Sequence, residues 1–207
     1  MNLIETLITL AVLIGYHAYV FHEIRTAPAR TLQGTGLLAR RDWVRSVMSE
    51  RRDILAVQTL RNLTTTASFF ASTAFLIAVG LLSFLLSLDK LPEALSAFNL
   101  VGTLSTKTLT IKLLLLVLNF LIAFFNLTLE LRYLNYCALL INVPNGGETA
   151  VTRVVNLLER GARHHTLGVR GFFFGIPLAL WLFGPLWMLS SALVLVILLY
   201  RLDHHLG

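Results

Sequence analysis

RRDILAVQTLRNLTTTASFFAST, the stretch from Arg51 to Thr73, decides the fold of this 207-residue chain. It opens with charge on almost every turn and passes after Arg61, with no Gly or Pro at the junction, into an uncharged run that lasts to Leu88. A single segment thus leads from water into lipid. Hydroxyl and amide side chains crowd the boundary, and Gln58, Asn62, Thr65, Phe69 and Ser72 keep the i+3/i+4 spacing of one helix face. Polar groups in hydrocarbon seek partners, so this face is expected to meet other helices, another subunit or a water-filled path.

Composition agrees with that reading. The chain is 56% hydrophobic and 14% charged, with a mean hydropathy of +0.74, whereas soluble domains carry roughly 25% charged residues. Besides the run from Asn62 to Leu88, the stretches Thr6 to His22, Leu113 to Leu129 and Gly171 to Tyr200 lack Asp, Glu, Lys and Arg. About 20 apolar residues cross a bilayer core. The sequence therefore predicts an all-α polytopic membrane protein, a single membrane domain over residues 1–207. Four transmembrane helices are expected at about 3–22, 62–88, 111–131 and 171–200, with helices 2 and 3 extended into the cytoplasm as helical regions over about 37–61 and 131–170.

Charge sets the orientation. Arg25, Arg30, Arg40, Arg41, Arg45, Arg51, Arg52 and Arg61 fall between the first two spans, and Arg132, Arg153, Arg160, Arg163 and Arg170 between the third and fourth. The outer connection holds only Lys90, Lys107 and Lys112. Positive-inside reasoning puts the arginines in the cytoplasm and both termini outside a cell membrane. The acidic head around Glu5 argues for a retained first helix rather than a cleaved signal. The net charge of +6 is explained by loops beside anionic lipid, so no nucleic-acid partner is expected.

Within this frame one long helix is expected from the low forties to about Leu88, the alternative being an interfacial helix followed by a separate span. Ala94 to Thr106 is too short to cross and reads as an interfacial or re-entrant cap. Glu148 to Arg160 reads as a short amphipathic helix, and Pro177 and Pro185 permit a kinked fourth span. Gly171, Gly175 and Ala179 form a small-residue face that suits either packing within the chain or oligomerisation.

Trp43-Val44-Arg45-Ser46, the run Asp53 to Asn62 and Phe69-Phe70-Ala71-Ser72-Thr73-Ala74 resemble the signature of the domain of unknown function 599 family of multi-pass membrane proteins. The resemblance extends from Gly15-Tyr16-His17 through Leu131-Arg132-Tyr133 and Asn135 to the stretch from Arg163 to Phe174. It implies a shared membrane fold and carries no activity with it.

Function must come from the residues. Lys112, Asn119, Asn126 and Tyr133 recur at intervals of seven, with Glu130 a turn beyond Asn126. Beside the Gln58, Asn62, Thr65 and Ser72 face they make a second polar stripe, either lining a hydrated path or bonding helices together. Arg61 and Arg132, near the inner mouth, would attract anions or anionic lipid. His17, His22, His164 and His165 lack metal-ligand spacing and read as interfacial side chains, while no facing pair suits haem. Lone Cys137 excludes a disulfide or a cysteine-based metal cage within the chain. No nucleophile elbow, phosphate loop or zinc-protease motif occurs, so neither an enzyme nor a cofactor is expected. The leading expectation is a homo-oligomeric pore or transport assembly for small anions; the alternative is a scaffold that docks an acidic partner or anionic lipid.

Overall fold

The computed structural model describes residues 32–50, 53–87, 106–143 and 147–204, together with Ala11, Gly15, Tyr16, Tyr19 and His22. Five helices fill these segments: α1 (Leu32–Glu50), α2 (Asp53–Leu86), α3 (Thr106–Leu140), α4 (Gly147–Leu180) and α5 (Pro185–His204). The described residues contain no strand. At 1.5 Å per residue α2, α3 and α4 are each about 50 Å long, well beyond the roughly 30 Å of a bilayer core. Three helices are long and apolar enough to cross a membrane, over Ile54–Leu86, Lys107–Leu140 and Pro185–Leu202.

α3 lies between α2 and α4. Its contact with α2 follows from an alanine edge: Ala67, Ala71, Ala74 and Ala78 are all buried, and the last two meet Leu116, Phe120 and Ala123. Small side chains let the two backbones approach closely, which is how helices associate where no water is available to drive them together. Much of the remaining surface of α2, α3 and α5 is apolar, with Phe69, Leu76, Leu118, Phe125 and Ile197 all more than half exposed. Such a surface suits lipid and points to a membrane location.

At the other end of the molecule Val44, Val47, Ala56, Leu60, Leu134, Cys137, Ile141, Val154, Val155 and Leu158 share one core. Four helices supply it, and α1 runs antiparallel to α4: Arg45 bonds Glu148 at 2.9 Å, and Arg40, further back along α1, feels the charge of Glu159. The single rod expected from the low forties to Leu88 is therefore two helices, with α1 folded back beside α2. A straight rod would strand Val44 and Val47 in water, whereas the folded-back arrangement buries both completely or nearly so.

Two further expectations change. The short helix at Glu148–Arg160 is the first part of α4, which continues without interruption to Leu180. The helix expected over 171–200 is divided at a turn, Trp181 to Gly184, beyond which α5 begins at Pro185. Gly184 has φ +148, a conformation that favours glycine, and Pro185 occupies a first helical position where its missing N–H costs nothing. α5 then packs back along α4, with Ala192, Leu195 and Leu199 near Phe173 and Phe174, and Tyr16 beside them. The expected cap lies outside the described residues up to Thr106, as does most of the first span.

Candidate functional site

The seam between α3 and α4 holds most of the polar side chains that the heptad stripe singled out. Glycines make it tight. An ideal Cβ added at Gly168 would lie 2.5 Å from Leu127 Cγ, at Gly171 2.6 Å from Ala123 Cβ, and at Gly175 2.7 Å from Phe120 Cζ. Gly171 and Gly175 thus serve packing within the chain, and Gly168 extends their ridge by a turn.

Polar bonds bridge this close contact along nearly its whole length. Lys112 Nζ donates to Trp181 O at 2.7 Å and lies 5.1 Å from the centre of the Trp181 ring. A buried cation therefore caps the C-terminal end of α4, where carbonyl groups point outward and the helix dipole is negative. Asn119 Nδ2 donates to Gly171 O at 2.8 Å. Asn126 spends an N–H on Ile122 O, so its carbonyl oxygen faces His164 Nδ1 at 2.9 Å as acceptor, which fixes the proton on that ring nitrogen. The His164 ring also stacks on Tyr133, centres 5.5 Å apart. Glu130, only 4% exposed, is 2.9 Å from His165 Nδ1. Cys137, likewise buried, reaches Val154 O at 3.7 Å.

These pairs keep one antiparallel register, with the consequence that α4 carries charge deep. Arg163, next to His164, stands level with Glu130, and Arg170, next to Gly171, stands level with Ala123, well inside the uncharged run of α3. α4 is accordingly absent from the helices apolar enough to cross a membrane alone.

The face of α2 behaves differently. Gln58, Asn62, Thr65 and Ser72 are all exposed, on a row roughly half a turn from the alanine edge that meets α3. Thr65 satisfies its hydroxyl within the helix, donating to Arg61 O at 2.9 Å, as Thr59, Thr64, Thr66 and Thr73 do to their own i−4 carbonyls. The Gln58 and Asn62 amides make no bond among the described residues. Among the described residues the two stripes are not brought together: Asn119 and Asn126 face α4, while the α2 row faces away from the other described helices. Arg61 is exposed beside that row. Arg132 belongs instead to an outer groove of α3, its guanidinium 5.9 Å from the centre of the Tyr136 ring.

The pairings of His164 and His165 were not foreseeable from their own spacing, although Asn126, Glu130 and Tyr133 already stood on one face. The alanine edge of α2 is present in the sequence as the small residues Ala67, Ala71, Ala74 and Ala78, the one local signal of its contact with α3. Among the described residues no group of three or more His, Cys, Asp and Glu is placed to hold a metal.

A family model described as "Protein of unknown function, DUF599" matches residues 4–206. No curated protein and no solved structure matches the chain.

Proposed function

Because the chain belongs to the DUF599 family, whose description supplies no activity, we propose from the geometry that it is a non-enzymatic membrane protein that assembles with copies of itself through the outward row of α2. Between copies, that row would border a hydrated route for small anions. The observation that carries this reading is the pair of unpartnered amides, Gln58 and Asn62, on an exposed helix face. From Asn62, where the uncharged run begins, to Ser72 the row spans about 15 Å, half of a bilayer core. An unpartnered amide at the edge of lipid is costly, and a second subunit or water relieves the cost. Arg61 would add positive potential at the inner mouth, while neutral amides and hydroxyls exchange hydrogen bonds with a passing ion without holding it.

Asn119, Asn126 and Arg132 drop out of the route, because the first two are engaged by α4 and the third lies on another surface. A second reading, a scaffold docking an acidic partner or anionic lipid, is favoured by the arginine-bearing head around α1 and the start of α4. We also revise the expected topology: α5 packs back along α4 and touches α1, so the C-terminus would share the cytoplasmic side with the arginines, and the N-terminus would stay outside. Tags at Gly207 that react only from outside would reject this arrangement.

The decisive experiment is anion flux into liposomes holding the wild type, Asn62→Leu or Arg61→Ala, with cross-linking of Ser72→Cys between copies. Flux that falls in both variants, together with cross-linked dimers, is the expected result. Absence of flux from all three folded proteins would leave only the scaffold.

A further inference from the structure

On the side of α3 away from the α4 seam, Thr128, Leu131, Arg132, Asn135, Tyr136 and Leu139 line an open groove of about 420 Å³. We propose that this groove seats the head group of an anionic phospholipid. Its position along α3 is the first argument. The uncharged run ends at Leu129, so Thr128 lies at the last apolar level and Arg132 and Asn135 one and two turns beyond. A bilayer places its phosphates at that depth when the run fills the core.

Chemistry is the second argument. Arg132 has no acidic partner among the described residues, is exposed, and stands over the Tyr136 ring. A guanidinium held against an aromatic face keeps N–H groups free to grip two phosphate oxygens in parallel. Asn135 supplies a further amide donor within the same groove, and the Tyr136 phenol a hydroxyl suited to a glycerol or serine head group. Leu131 and Leu139 provide apolar walls, with Leu139 69% exposed, which a free inorganic ion would leave wet and an acyl chain or glycerol backbone would cover. The charge and the apolar walls together fit a lipid better than either a soluble phosphate or a protein carboxylate.

Native mass spectrometry of the full chain, released from nanodiscs of phosphatidylglycerol and phosphatidylcholine, tests the assignment. Wild type should retain phosphatidylglycerol in preference to phosphatidylcholine. Arg132→Ala should weaken that retention about fivefold, the weight of about 1 kcal/mol per basic residue at an anionic surface, and Arg132→Lys should restore part of it. Arg153→Ala, on the exposed side of the head, should change nothing. Millimolar inorganic phosphate should not compete, since it lacks the apolar part. Equal retention by wild type and Arg132→Ala, no preference for the anionic lipid, or full displacement by phosphate would each overturn the proposal.

Discussion

Replacing Gly171 by alanine is the sharpest test of the α3–α4 seam. The added Cβ would stand 2.6 Å from Ala123 Cβ and 3.5 Å from its Cα, where carbon atoms at rest lie about 3.5–4.0 Å apart. Neither neighbour is the free end of a flexible side chain, so the helices must part by about 1 Å. Overpacking a filled contact costs about 1–3 kcal/mol; the gain of alanine over glycine in a helix returns about 0.5–1 kcal/mol. A net loss of about 1–2 kcal/mol is expected. Parting the helices also lengthens the Asn119 bond to Gly171 O. Gly80→Ala is the matched control, because nothing lies within 4 Å of its Cβ position; it should be neutral or slightly stabilising. Unfolding in a detergent titration, followed by tryptophan fluorescence, measures both. Adding Ala123→Gly to Gly171→Ala should recover more than half of the loss. Equal stability of Gly171→Ala and Gly80→Ala would refute the close packing, and failure of the compensating change would refute Ala123 as its partner.

Other expectations use the same titration or simple chemistry. Lys112→Met should destabilise by about 1–3 kcal/mol, since Trp181 O loses a charged donor; an unchanged midpoint would contradict the cap. Glu130→Gln and His165→Ala should couple by about 1 kcal/mol or more in a double-mutant cycle, and strictly additive effects would show that their 2.9 Å approach carries no energy. Cys137, buried in the head core, should resist maleimide in the folded protein and react only as the head opens; rapid labelling under native conditions would argue against that core.

Much of the architecture was legible because membrane segments announce themselves by the absence of charge. The runs in α2 and α3 contain none between Asn62 and Leu86 or between Leu113 and Leu129, and no other structure satisfies backbone groups in lipid as simply as a helix. The heptad stripe of α3 was legible for a similar reason. Its partner was not. Asn126 and Glu130 show that a polar residue wants a bond, yet only the antiparallel register of α4 decides that His164 and His165 provide it. The head misled in the opposite way: helical periodicity through Val44, Val47, Ala56 and Leu60 is the same for one rod and for two helices side by side. What separates them is long-range burial, which local spacing does not encode. Charge alone places Arg163 and Arg170 in the cytoplasmic helical region expected over about 131–170, because single-segment hydropathy treats each helix as if lipid were its only neighbour.

The depth of Arg170 bears on how the chain enters a bilayer. A charged residue at the centre of a lone helix opposes insertion by about 2.5–3.5 kcal/mol, and α4 carries Arg170 level with Ala123, where α3 is uncharged. α4 is therefore unsuited to partition from the insertion machinery by itself. α3 is synthesised first, however, and presents Asn119, Asn126 and Glu130 along the edge that α4 will meet. Order of synthesis thus becomes part of the folding code: the earlier helix acts as the solvent for the later one, and a permuted chain that made α4 before α3 would offer Arg170 to lipid with no surface ready to receive it.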